Sequence, residues 1–266
     1  MIKVPLKYRI RNKIKDIILS ERKKIKQARI NGYEILVPVD EGIGWKIYYL
    51  KSFEKEETSL IRRIAKKDWI CFDIGANVGY YSLLFASLCK NGEIHSFEPL
   101  PPCYHLLSAN ILLNNLNNIR VNNFALSNYS GLAKFSVSQK WETSSFIHTE
   151  RDPLEEIIQV EVCRLDDYVI DNSIERIDFM KIDVEGAEKL VLEGSLETLS
   201  KKELKPKMCL MELYDLNFIH YHTSIDEIVK FLNSYGYNAF IISKKRLIPF
   251  TKEHYNIFDN VFFVEK

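Results

Sequence analysis

Apolar and polar positions alternate between two periods along this chain. Short apolar runs of strand length stand at Trp69 to Asp73, Glu93 to Phe97, Ile119 to Phe124 and Ile177 to Val184. Helix-like stretches open after them at Tyr80, Pro102 and Ala187. Strands alternating with helices predict a parallel sheet covered on both faces. Further on, Met208 to Leu213, Asn238 to Ile242 and Asn260 to Val264 read as strands, with a helix over Ile225 to Leu232 and the last two strands forming an antiparallel edge. Lys134 to Val137 and Val160 to Leu165 read as extra strands flanking a polar loop with Trp141, Ser144, Ser145 and Phe146. The expected fold is α/β and Rossmann-like, with a mostly parallel seven-stranded sheet over residues 69–266.

Residues 1–68 read as an N-terminal extension. Leu6, Ile10, Ile14 and Ile17 recur at steps of about four among lysines and arginines, the stripe of a basic amphipathic helix. From Gly32 to Leu50 the pattern predicts two short strands around Asp40-Glu41-Gly42, then a helix from Glu54 to Lys66.

Charge changes this picture by region. The net charge is +1, yet residues 1–30 hold eleven Lys/Arg against Asp16 and Glu21, a net of +9 that leaves −8 for the other 236 residues. The basic stripe therefore either docks on the main domain or a second subunit, or attaches to an anionic membrane surface. Five cysteines without a CxxC pair suit neither a disulfide framework nor a thiolate zinc site. No run reaches the length of a membrane span, so the expected location is cytoplasmic, with peripheral contact at the inner membrane face as an option. With no basic face on the main domain, nucleic acid is not an expected partner.

The central chemical signal is Asp73-Ile74-Gly75-Ala76-Asn77-Val78-Gly79, set where an apolar strand ends and a helix begins. Gly75 and Gly79 suit a tight strand-to-helix turn. An acid, not a glycine, opens the motif, so it fits a cationic ligand without phosphate better than a pyrophosphate, which counts against a nicotinamide dehydrogenase. Glu98, at the end of the next strand, is placed to accept hydrogen bonds from ribose hydroxyls. Asn123-Phe124-Ala125-Leu126 lies where an adenine ring would fall, with Phe124 or Leu126 as the apolar wall. Asp183 and Glu185 end the fourth core strand and should point into the crevice at the strands' carboxyl ends. They can bind a ligand ammonium, orient or deprotonate an acceptor hydroxyl, or share Mg²⁺ with Glu212. His220 and His222 are second choices for the base.

The runs DIGANVGYYS, Phe97-Glu98-Pro99, Ala125-Leu126-Ser127, Arg164-Leu165-Asp166-Asp167-Tyr168 and KIDVEGAE, in this order, resemble FkbM-type methyltransferases over about Tyr33 to Ile242. The resemblance implies a class I methyltransferase fold, S-adenosylmethionine as cofactor and methyl transfer to a hydroxyl, commonly of a sugar in a glycan or glycolipid, or of a secondary metabolite. It matches Asp73, Gly75, Asn77, Gly79, Glu98 and Asp183 to positions at the cofactor and Glu185 to an acceptor-side acid; by their place along the chain, Ala76, Pro99, Phe124 and Ala125 join the expected cofactor site, and Asp183 and Glu185 are the expected catalytic acids. A resident metal is not expected but not excluded. A non-catalytic nucleoside-binding or scaffold module is the reading of a different class. A base methyltransferase is disfavoured, because KIDVEG stands where an Asn/Asp-Pro-Pro-Tyr-like run would be.

Overall fold

The computed structural model describes residues 24–40 and 42–266. The basic stripe expected over Leu6 to Ile17 lies outside them.

The first elements are β1 (Ile25–Ile30) and β2 (Tyr33–Pro38), an antiparallel hairpin. Its turn is Asn31-Gly32, with φ of 57° and 92°. The sequence pattern places the turn at Asp40-Glu41-Gly42 instead. Asn-Gly wins because both central positions of a tight hairpin turn need positive φ. The chain continues through a short helix, Gly42–Trp45, into a π-helical stretch, Lys46–Leu50, and then the expected helix, Lys55–Ile64.

The extension has no core of its own. Ile35 and Val37 pack into the same apolar cluster as Tyr80, Phe85 and Leu106. Two asparagines of helix Pro101–Leu113 and its end pair with the free edge of β2. Asn110 Oδ1 accepts the Leu36 N–H at 2.6 Å, and Asn114 Oδ1 accepts the Glu34 N–H at 2.9 Å. Their amide groups donate back to the carbonyls of the same two residues, at 3.1 Å and 2.6 Å. A strand edge that would otherwise invite pairing is thus closed by side chains.

The main domain follows the predicted alternation. Strands β3 (Cys71–Ile74), β4 (Ile94–Phe97), β5 (Ile119–Asn122), β9 (Phe179–Ile182) and β10 (Met208–Glu212) run parallel. With β11 (Tyr237–Ser243), β12 (Arg246–Pro249) and β13 (Asn260–Glu265) they form one sheet in the order β12-β11-β13-β10-β9-β3-β4-β5. Among the described residues the sheet has eight strands, not seven. Strand β13 runs antiparallel between β10 and β11, and the antiparallel edge is β12. The pattern hides β12 because its turn, Lys244-Lys245, takes φ of 49° and 63° without glycine or asparagine.

From β3 the chain moves outward to β4 and β5, then returns to β9 on the other side of β3. This reversal opens a crevice at the carboxyl ends of β3 and β9. Over it stands a second sheet, β6 (Ala125–Leu126), β7 (Gly131–Ser138) and β8 (Leu154–Cys163), in the order β6-β8-β7, with a small core of Phe135, Val137, Val160 and Val162. The loop after β7 is tied to the main sheet through Ser145, whose hydroxyl lies 3.1 Å and 3.0 Å from the Val184 and Glu185 carbonyls. Cys71 and Cys209 are buried free thiols.

The LDD run has a structural role. Asp166 is buried at the start of helix Leu165–Asp171 and accepts the N–H groups of Glu197 and Thr198 and the Thr198 hydroxyl, at 3.0, 2.8 and 2.7 Å. It thereby caps the neighbouring helix, Leu196–Ser200. Replacing Asp166 by Ala leaves these buried donors unpaired, and chemical unfolding should show a loss of about 2–4 kcal/mol. A change within about 0.5 kcal/mol contradicts the capping role.

Candidate active site

The crevice is a cavity of about 510 Å³. One end is walled by Phe97, Glu98, Pro99, Ala125 and Leu126, and the other by Lys181, Asp183, Glu185, Glu212 and Arg151.

The turn after β3 forms the floor. Gly75 and Ala76 both donate N–H groups to the Phe97 carbonyl at 3.0 Å, which binds the turn to the end of β4. Gly75 has φ of 79°, and a Cβ there would stand 1.8 Å from the Asp183 carbonyl oxygen. A Cβ on Gly79 would meet the Leu107 side chain at 2.4 Å. The two glycines therefore serve backbone and helix packing, and Gly79 does not line the cavity. Asn77 takes φ of 49°, steadied by its own Oδ1 on the Val78 N–H at 2.7 Å.

Glu98 is buried and accepts the N–H groups of Asn77 and Leu100, both at 2.8 Å. Burial pushes its carboxyl up to about 7 despite these two bonds. Asp73 is buried with its carboxylate 2.5 Å from the Ser82 hydroxyl, and burial pushes it up to about 6 against the pull of the Lys181 ammonium. Phe124 stands outside the cavity, packed edge-on against Phe97 with ring centroids 5.6 Å apart. Leu126 is the apolar wall at that point.

At the other end, Asp183, Glu185 and Glu212 each offer an oxygen within 4.8 Å of the others. Lys181, itself buried, donates to Asp183 at 2.7 Å. Glu185 sits in the left-handed region, φ 55°, and accepts from Arg151 and, at 2.7 Å, from the Asn217 amide. Burial and the Asp183 carboxylate push Glu185 up to about 8, with Arg151 opposing. Burial, followed by the charges of Asp183 and Glu185, raises Glu212 well above the ordinary carboxylate range.

The sequence gives no motif for Arg151 or Glu54, and the DIGANVGYYS run holds Tyr81 without marking a role for it. Arg151 comes from an irregular loop, and its guanidinium lies 5.0 Å from the Tyr214 ring centroid. Tyr81 donates to Glu54 beneath the Lys181 ammonium, which stands 4.9 Å from the Tyr81 ring centre. The histidines stay outside the site. His220 and His222 do not line the cavity, and His95 is buried with Nδ1 2.8 Å from the Tyr168 hydroxyl.

Residues 73–239 match the methyltransferase FkbM domain, a span that holds most of the cavity wall, the rest coming from the stretch between Ile43 and Glu54 and from Asp259 and Asn260. The chain belongs to the FkbM methyltransferase family. Among similar FkbM-family and related proteins, the 2-O-methyltransferase NoeI of Sinorhizobium fredii is 30% identical over 161 residues, 55% of this chain and 65% of that protein. The methyltransferase sdnD of Sordaria araneosa is 31% identical over 151 residues, 46% of this chain and 58% of that protein. The matches thus span less than two thirds of these two relatives' length. The 31-O-demethyl-FK506 methyltransferase FkbM of Streptomyces tacrolimicus is 25% identical over 199 residues, 64% of this chain and 73% of that protein. A solved structure of a methyltransferase FkbM from Methylobacillus flagellatus is 15% identical, with a TM-score of 0.49, over 75% of this chain and 44% of that one.

S-adenosylmethionine is the cofactor of the FkbM family, and the cavity's chemistry fits it. The ligand carries an ammonium, a sulfonium, a ribose and an adenine. Glu98 has lone pairs left for ribose hydroxyls after two backbone bonds. Leu126 and Ala125 offer an apolar wall for the base, and Asp73 and Asp183 offer negative charge for the cationic end.

Asp73 and Glu98 hold their protons to about 6 and 7 in the ligand-free protein. Their folded values are raised, so the stability they contribute is complete at low pH and is lost as pH rises through those values. Cation binding prefers the ionised forms. The two trends oppose each other: as pH rises the protein loses this stability while the affinity for S-adenosylmethionine should rise between about pH 5 and pH 8. Calorimetric titrations across that range check it, and an affinity that is flat or falls with pH contradicts it.

Proposed function

We propose that this chain is an S-adenosylmethionine-dependent O-methyltransferase acting on a hydroxyl of a sugar in a glycan or glycolipid. The observation that carries this reading is the carboxylate group at the acceptor end, with Glu185 held by Arg151 and Asn217 and raised to about 8. When bound, the cofactor supplies an electrophilic methyl group on a positively charged sulfur.

The protein's residues then have three tasks. Lys181 pins Asp183 at 2.7 Å, so the acid at the end of β9 has a fixed direction. Glu185 accepts the hydroxyl proton; a base with a pKa near the working pH is both free to accept and strong enough to do so. The loop after β7 places Trp141 and Phe146 on the cavity wall. An aromatic face beside carboxylate acceptors suits a sugar ring, with one apolar face and a rim of hydroxyls. Alignment of acceptor and methyl supplies on the order of 7–11 kcal/mol, and a positioned base about 10²- to 10⁴-fold in rate. The names of two relatives, a 2-O-methyltransferase and a 31-O-demethyl-FK506 methyltransferase, support oxygen as the acceptor atom. The second of these also keeps a secondary-metabolite hydroxyl open as the acceptor.

The same three acids, with ligand oxygens within 4.8 Å of one another, have the donor set of a hard divalent cation. This favours a metal-assisted second reading, which full activity after exhaustive EDTA treatment would exclude.

For the base role, Glu185→Gln should lower kcat by about 10²- to 10⁴-fold while leaving cofactor affinity within about threefold. Wild-type turnover in this variant contradicts the assignment. Retained cofactor affinity without methyl transfer to any glycan, lipid or metabolite extract by the wild-type chain would favour a non-catalytic nucleoside-binding module.

A further inference from the structure

The stretch Gly42–Leu50 is wound as two consecutive helical turns. Ile47 anchors it in the core, and Ile43, Lys46 and Leu50 reach the cavity wall. Its outer side leaves three large apolar side chains in water: Trp45, Tyr49 and Leu50 are 44%, 54% and 56% exposed. They are contiguous. The rings of Trp45 and Tyr49 lie 5.6 Å apart, and Tyr49 meets Tyr48 edge-on at 4.9 Å.

Ammonium groups lie beside this aromatic patch, over Tyr48 and Phe53. Lys26 and Lys51 stand 5.2 Å and 4.8 Å from the Tyr48 ring centre, and Lys46 stands 5.8 Å from that of Phe53. The acids beside them, Asp40 and Glu142, face the Lys24 and Ile43 N–H groups at 3.5 Å and 2.6 Å. Residues 1–23, with eight Lys/Arg against two acids, join the fold at Lys24, on this same edge.

Exposed Trp and Tyr with lysines on the neighbouring rings is the composition that settles at the boundary between lipid headgroups and acyl chains. A second copy of the chain fits poorly, because a twofold contact through this face would press two patches carrying Lys26, Lys46 and Lys51 against each other. We propose that the Trp45–Tyr49–Leu50 face docks on an anionic bilayer surface, which turns the mouth of the cavity toward the membrane. A lipid-linked acceptor hydroxyl then follows, a consequence that rests on the O-methyltransferase reading; the docking itself does not.

The test is co-sedimentation of the full chain with vesicles of phosphatidylcholine alone and of phosphatidylcholine mixed in equal parts with phosphatidylglycerol. The expected result is binding to the mixed vesicles only, weakened by salt. Trp45→Ser combined with Tyr49→Ser should reduce that binding by at least about tenfold. Neither residue lines the cavity, so the unfolding midpoint and the affinity for S-adenosylmethionine should stay as in the wild type. Lys51→Glu should weaken vesicle binding several-fold. The proposal is overturned if neither vesicle binds, if the double variant binds as tightly as wild type, or if sedimentation velocity shows a dimer that this variant dissociates. Failure of wild-type protein to bind S-adenosylmethionine would count against the proposed activity and leave the vesicle result to stand by itself.

Discussion

The crowding of carboxylates at the strand ends is the constraint on which the rest of this molecule depends. Asp73, Glu98, Asp183, Glu185 and Glu212 converge on one cavity, with Lys181 and Arg151 as the cations beside the acids and Lys46 on the wall. Removing so many acids from water is unfavourable, and four of them respond by holding their protons, Asp73, Glu98 and Glu185 to about 6, 7 and 8 and Glu212 well above the ordinary carboxylate range. A fold selected for stability alone would not assemble this group. A cationic ligand relieves the excess charge at one end, and a proton arriving from an acceptor hydroxyl relieves it at the other.

The scaffold holds this arrangement by backbone contacts more than by side-chain packing. The chain reversal between β3 and β9 opens the crevice, and the close passage of Gly75 over the Asp183 carbonyl fixes the two halves of the site against each other. Glu98 binds the β3 turn to the start of the helix after β4 through two N–H groups. A carboxylate expected to serve the ligand therefore also holds the loop that the ligand meets, so its loss should disturb both.

Much of this is legible in the sequence because its signals are local. Period and turn chemistry locate β3, β4, β9 and β10 and the helices that follow them, and position at a strand end is enough to bring Asp73, Glu98, Asp183 and Glu185 together. What escapes is what depends on distant partners. Arg151 reaches the site from an irregular loop, and Asn110 and Asn114 look like ordinary helix residues until β2 lies against them. The Asn31-Gly32 turn was available to local reasoning, yet Asp40 and Gly42 compete with it as turn formers. Phe124 does not line the cavity, because an apolar residue at a sheet edge can face either side, and here it packs, half-buried, against Phe97 and Tyr168.

The most direct measurement is calorimetric titration of the full chain with S-adenosylmethionine and, separately, with NADH, with Asp73→Ala and Glu98→Ala as controls. The account predicts saturable binding of S-adenosylmethionine alone, lost in both folded variants. Saturable binding of NADH, or undiminished S-adenosylmethionine binding by both variants, would contradict it.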